Sequence, residues 1–117
     1  MTEQEHIDYE TYMERTWGSW EVLEHRPGLY KVKRLEIYPD KSISLQSHNL
    51  RSETWVIVQG KGRVIKGDVT FTVNAGDHFH VPKMMRHKIT NIGNDLLIAI
   101  ETQTGEKCVE EDIVRYD

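Results

Sequence analysis

From Ser19 to Thr102 the chain is divided into short runs of β-type composition, with turn residues between them at nearly regular intervals. The runs are Trp20 to Leu23, Leu29 to Tyr38, Ile43 to Gln46, Trp55 to Val58, Arg63 to Ile65, Val69 to Val73, His78 to Val81, His87 to Thr90 and Leu96 to Thr102. They are separated by Pro27-Gly28, Pro39-Asp40, Gly60 with Gly62, Gly67-Asp68, Asn74 to Asp77, Pro82 and Gly93-Asn94, residues that favour turns over ladder pairing. Nothing in residues 19–105 has the length and pattern of a useful helix. Parallel strands need long crossovers, usually helical, so the pattern predicts an antiparallel sandwich or barrel. Lys66-Gly67-Asp68-Val69 reads as a tight hairpin.

The chain has 117 residues, enough for one domain with one core. Residues 1–14 differ from the rest: they carry five acids and no bases, with Ile7, Tyr9, Tyr12 and Met13 too loosely spaced to define a helix. They are expected to form an acidic arm or short helix ahead of a single domain over residues 15–117. The net charge of −4 conceals thirteen bases against nine acids in residues 15–105. A body so weakly positive, without a basic stripe and interleaved aromatics, argues against a nucleic-acid partner. No apolar run approaches the roughly 20 residues of a membrane span, and the acidic start is unlike a signal peptide, so a cytoplasmic protein with no membrane partner is expected. Cys108, the single cysteine, excludes an internal disulfide and a cysteine-cluster zinc site and reads as a half-buried packing residue.

Two stretches concentrate chemistry. In Gln46-Ser47-His48-Asn49-Leu50-Arg51-Ser52-Glu53-Thr54-Trp55, Gln46 and His48 share one face of an extended strand, and a short polar excursion could return Glu53 to the same cavity. Amide oxygen, imidazole and carboxylate suit a borderline divalent cation. In the second stretch, Gly76 to Asn91, His87 offers a fourth ligand. His78 and His80 also share a strand face, but Phe79 and Val81 alternate with them and point those histidines away from the core. His6 and His25 lie among polar or turn residues and are read as solvated.

The spacing of Glu53 to Gly60, and of Gly76 to Pro82, His87 and Asn91, resembles the two cupin motifs. Gln46 in place of the first imidazole, together with Arg51-Ser52-Glu53-Thr54-Trp55, is similar to the C-terminal cupin domain of type II phosphomannose isomerases. The likeness extends to Trp17-Gly18-Ser19-Trp20-Glu21-Val22-Leu23, to Tyr30-Lys31-Val32-Lys33-Arg34-Leu35, to Glu101 with Gln103 and Gly105, and to Glu111-Asp112-Ile113-Val114-Arg115. Departures are Asn49, Leu50 and Thr54 where the family usually has histidine, and the absence of its terminal tail.

The resemblance implies a jelly-roll β-barrel holding one divalent metal through Gln46, His48, Glu53 and His87. Zinc is the first expectation, with manganese, iron, cobalt or nickel compatible with the same donors. Bifunctional members carry a nucleotidyltransferase domain ahead of the cupin, for which 117 residues leave no room. The expected activity is therefore interconversion of mannose 6-phosphate and fructose 6-phosphate, with a sugar phosphate as partner. A metal cupin of other activity, whether a dioxygenase or another sugar isomerase or epimerase, and a non-catalytic sugar-binding module are the competing classes. Glu101, at the end of the apolar run 96–100, is the candidate base, because burial raises a carboxyl towards neutrality. Arg51 is the candidate phosphate fork. Lys33 and Arg34 alternate faces, so at most one of them supplies a second cation. Arg86 and Lys88 face away from His87, Asn91 closes a turn, and Trp17, Trp20 and Trp55 are read as packing rather than a sugar platform. A homodimer is implied by the resemblance, with exposed sheet edges as its physical motive.

Overall fold

The computed structural model describes residues 11–117 and has eleven strands there, nine of them at the runs read from the sequence. They are β1 (Tyr12–Arg15), β2 (Gly18–Arg26), β3 (Tyr30–Ile37), β4 (Gln46–Ser47), β5 (Arg51–Gln59), β6 (Lys61–Lys66), β7 (Val69–Asn74), β8 (His78–Val81), β9 (His87–Asn91), β10 (Leu97–Gly105) and β11 (Val114–Arg115). No helix occurs among the described residues. Every strand pair is antiparallel. One sheet runs β1-β2-β3-β10-β5-β8 and the other β11-β4-β9-β6-β7.

Strand alternation sends one face of each sheet inward. Trp20, Leu35, Ile37, Ile43, Trp55, Ile57, Val64, Val73, Phe79, Val81, Ile89, Leu97 and Ala99 form the shared core. The same alternation leaves His78 and His80 exposed on β8, as expected from their apolar neighbours. The Gly67-Asp68 hairpin closes between paired Lys66 and Val69, with Gly67 at φ 58°, where a glycine has no Cβ penalty. At the end of β10, Gly105 has φ 151°, and a Cβ there would lie 2.2 Å from the Leu50 carbonyl oxygen. Only glycine allows β10 to run this close to the chain entering β5.

Three expectations are refined. The end of the N-terminal arm, Tyr12–Arg15, is a strand paired with β2; Ile7, Tyr9 and His6 lie outside the described residues. The run Ile43 to Gln46 is not a continuous strand. Ser42 pairs with Thr90 and Gln46 with His87, so four steps on one side oppose three on the other. That extra residue breaks the ladder and re-aims Gln46, as bulges beside functional sites do. Cys108 is fully rather than half buried, because residues 106–113 fold back over the mouth formed by β3, β5 and β10.

Candidate metal centre

The inner face of the six-stranded sheet changes character along its length. On β3 the inward residues are Lys31, Lys33, Leu35 and Ile37; on β10, Gln103, Glu101, Ala99 and Leu97; on β5, Arg51, Glu53, Trp55 and Ile57. Register places Lys33, Glu101 and Trp55 in one row and Lys31, Gln103 and Glu53 in the next. One end of the sheet is thus apolar and the other carries buried charge. Lys33, Arg51, Glu53 and Glu101 of the charged end, with Gln46, line a cavity of about 460 Å³ whose walls include Trp17, Trp20 and Trp55. Trp20 and Trp55 therefore pack into the core and wall the cavity as well.

His48, Glu53 and His87 come together as the sequence reading required, with ligand atoms all within 4.8 Å of one another. Glu53 sits between the two rings: its Oε2 is 3.1 Å from His48 Nε2 and its Oε1 is 3.2 Å from His87 Nε2. Gln46 stands opposite His87 in register and lines the same cavity. Its amide nitrogen donates to the Ser44 carbonyl and hydroxyl oxygens, 3.1 Å each, which leaves the amide oxygen as the atom it could offer a cation.

Each histidine is oriented from behind. His48 Nδ1 lies 2.7 Å from the Asp112 carbonyl oxygen, and His87 Nδ1 lies 3.2 Å from the Met85 carbonyl oxygen. A carbonyl only accepts, so Nδ1 of each ring donates to it and Nε2 is turned inward towards Glu53. Met85 is held by a tight turn in which Met84 adopts φ 68° and donates its backbone N–H to the His48 carbonyl. This strained residue ties the loop before β9 to the chain after β4. Burial lowers the His48 pKa to about 4, against the opposing charge of Glu53. Burial pushes the Glu53 carboxyl up, but its contact with His87 and the Arg51 guanidinium outweigh this and hold it well below the ordinary range.

The result is two imidazole nitrogens turned onto one buried carboxylate. His87 Nε2 finds no hydrogen-bond partner among the described residues. Buried polar atoms are seldom left in this state, and two imidazoles with a carboxylate are the donors that a catalytic zinc-type site uses. The residues present fit a divalent cation.

Arg51 is turned into this cluster. Its Nε donates to Glu53 Oε2 at 3.0 Å, its Nη1 to the Val109 carbonyl at 2.9 Å, and its Nη2 lies 3.3 Å from His48 Nε2. Both edges of its fork are engaged, so it supports the ligands directly. Glu101 is fully buried beside Glu53. Burial first, then the charge and hydrogen bonding of Glu53, raise its carboxyl well above the ordinary range, so the two acids hold opposite protonation states. Gln103 Nε2 donates to Glu101 Oε1 at 3.3 Å.

Lys33, not Arg34, points inward. Its Nζ donates to Glu110 at 2.8 Å and stands 4.0 Å from the Trp20 ring centroid. Arg34 pairs with Glu21 and Glu36 at the surface. Asn91 closes the turn after β9, donating to the Ile37 and Asp95 carbonyls and accepting from Gly93. Arg86 is exposed against Tyr116, and Lys88 pairs with Asp117. His25 is half-buried rather than solvated, because β2 pairs it with Lys31 on β3.

Four site residues were not singled out from sequence. Lys31 and Gln103 share the inward faces of Lys33 and Glu101 two residues away, a signal that period-2 counting contains. Glu110 and Asp112 lie in an irregular segment with no periodicity to reveal them. Asp112 clamps the ligand loop: its carboxylate accepts from the backbone N–H groups of Asn49 and Leu50, 2.9 Å each.

The family model described as "Mannose-6-phosphate isomerase C-terminal" matches residues 2–117. The xanthan biosynthesis protein XanB of Xanthomonas campestris pv. campestris is 32% identical over 103 residues, covering 88% of this chain and 22% of that protein. Mannose-1-phosphate guanylyltransferase 2 of Escherichia coli O157:H7 is 32% identical over 114 residues, covering 96% of this chain and 23% of its own length. The chain thus spans less than a quarter of these curated relatives. Among solved structures, the capsular polysaccharide assembling protein CapF of Staphylococcus aureus superposes with a TM-score of 0.80 at 16% identity, over 91% of this chain and 34% of that one, a likeness of fold. A family match over residues 2–117, on a double-sheet cupin barrel with these residues in its interior, establishes that this chain belongs to the mannose-6-phosphate isomerase C-terminal family.

Proposed function

We propose that this domain is a metal-dependent sugar-phosphate isomerase interconverting mannose 6-phosphate and fructose 6-phosphate. The observation that carries the reading is the pair of buried acids, Glu53 ionised among inward-facing imidazoles and Glu101 protonated beside it. Pairs of acids driven apart in protonation mark acid–base chemistry. A divalent cation held by Gln46, His48, Glu53 and His87, zinc first among the candidates, supplies Lewis acidity towards a sugar carbonyl and its neighbouring hydroxyl.

Glu101 is the proton carrier. The Glu53 charge is one of the causes that keep it protonated, so neutralising that charge brings its pKa down towards the range in which a carboxylate takes a proton from carbon at neutral pH. It then moves the proton between C2 and C1, passing through the enediolate, with Gln103 fixing the carboxyl's orientation. Arg51 keeps the Glu53 carboxylate and the His48 ring in place. The tryptophan-walled cavity has the size of a small-molecule site and accommodates the sugar away from bulk water. Fructose 6-phosphate formation should be measured by a coupled assay on the protein loaded in turn with zinc, manganese, iron, cobalt and nickel. Turnover of mannose 6-phosphate, with solvent deuterium entering the sugar in D₂O, is the expected result; no turnover with any of the five metals refutes the reading.

A further inference from the structure

Three of the four metal candidates stand on strands and one does not. Gln46 opens β4, Glu53 lies within β5 and His87 opens β9, whereas His48 falls in the connection between β4 and β5. Ladder pairing fixes the direction of a strand side chain through its backbone, and residues 48–50 belong to no strand. Yet His48 is buried and its Nε2 stands 3.1 Å from Glu53. What aims it comes from far along the chain.

Asp112 grips three consecutive residues of this connection. Its backbone carbonyl accepts from His48 Nδ1 at 2.7 Å, and its two carboxylate oxygens accept from the N–H groups of Asn49 and Leu50, 2.9 Å each. The side-chain bonds hold the backbone behind the ring, and the main-chain bond sets the ring's rotation. A second tether runs beside the first: the Val109 carbonyl accepts from Arg51 Nη1, and Arg51 Nε donates to Glu53. Asp112 and Val109 both belong to residues 106–113, which form no strand and which also place Glu110 and Ile113 in the cavity wall. Segments without ladder pairing open at lower cost than core strands. The bonds that seat this segment are therefore the same bonds that aim His48 and steady Glu53.

We infer that Asp112 is a positioning residue of the metal centre, and that through it the seating of residues 106–113 and the loading of a divalent cation favour each other. Such coupling is reciprocal: the factor by which the seated segment tightens the cation is the factor by which the cation stabilises the seated segment. Outer partners of metal-binding histidines contribute about 10–100-fold in affinity. One side of the cavity is thus completed as the cation binds, which prepares the site for the sugar. The inference rests on the divalent cation of the proposed reading and deepens it by naming what holds that centre together.

The test reads zinc affinity by competition with a chromophoric chelator, the visible spectrum of the cobalt(II)-loaded full chain, and amide hydrogen exchange with and without zinc. Asp112→Ala should weaken zinc about 100-fold and alter the cobalt spectrum. Asp112→Asn, whose amide oxygen still accepts one of the two N–H groups, should weaken zinc about tenfold and serves if the alanine variant fails to fold. In the wild type, zinc should slow exchange at the Asn49 and Leu50 amides about 10–100-fold, and this slowing should be lost in the Asp112 variants. Ile57→Ala separates positioning from general stability: its exchange should quicken across the core while the folded fraction keeps wild-type zinc affinity. Wild-type zinc affinity in a folded Asp112 variant, unchanged exchange at Asn49 and Leu50 on adding zinc, or an equal loss of zinc in Ile57→Ala overturns the inference. A chain that binds zinc in the expected pattern but never isomerises refutes the isomerase reading alone. One that isomerises with zinc affinity indifferent to Asp112 refutes this inference alone, and one that binds no divalent metal refutes both.

Discussion

The two ends of one sheet face make an instructive pair. On β3, β10 and β5 the same three strands, in the same register, present Leu35, Ile37, Leu97, Ala99 and Ile57 at one end and Lys31, Lys33, Gln103, Glu101, Glu53 and Arg51 at the other. Both ends are buried, yet they act in opposite senses on the folded state. The apolar end gains roughly 25 cal/mol for each Å² removed from water. The charged end contains ionisable groups whose desolvation is offset only by their mutual contacts. Folding is driven from one end, and the chemistry is held at the other by strands that the first end stabilises.

This division can be broken by substitution. The largest expected effect is at the charged end: His87→Ala should lower metal affinity at least about 100-fold and abolish any isomerase activity, because it leaves one imidazole among oxygen donors. Circular dichroism should still report strand, since the apolar rows are untouched; stoichiometric metal in the variant by elemental analysis would show that the centre lies elsewhere. Next in size, Ile57→Ala at the apolar end should cost about 2–5 kcal/mol in denaturant unfolding. The folded fraction should still bind metal stoichiometrically, and loss of metal without loss of stability would erase the distinction between the ends.

The smallest effect sharpens the comparison through pH. In the metal-free protein, His48 has a folded pKa of about 4 against its ordinary 6.5. Between those values the unfolded chain binds the proton and the folded one does not, so the His48 contribution to stability falls as pH drops from about 6.5 to about 4, then levels off. Glu101 works in the other direction: its raised pKa means that the folded state takes up a proton first, adding stability as pH falls. The clean measurement is therefore the stability of wild type minus that of His48→Gln across this range. The difference should shrink with acidification, and a flat difference would mean that His48 is not held neutral by burial.

Much of this architecture is legible in the chain. Residue alternation and turn chemistry determine an antiparallel, helix-free fold, the Gly67-Asp68 hairpin and the outward aim of His78 and His80. These are local properties: period-2 patterning and φ restrictions act within a few residues. It was the resemblance to the cupin motifs, not a local pattern, that pointed to His48, Glu53 and His87, and these three side chains lie together.

What sequence could not decide depends on contacts between distant segments. Choosing Lys33 over Arg34 took the pairing of β3 with β10, and turning Arg51 towards the ligands took the return of Val109 from 58 residues away. The ring of His48 is oriented by the Asp112 carbonyl, 64 residues along the chain, and Lys33 of β3 pairs with Glu110. Residues 106–113 have no periodic pattern, and their positions are set by hydrogen bonds to groups that exist in the right places only once the barrel has closed. Sequence by itself determined which strands form and which donors they carry; the closed tertiary structure decided which of those donors meet, in which protonation state, and which segment covers them.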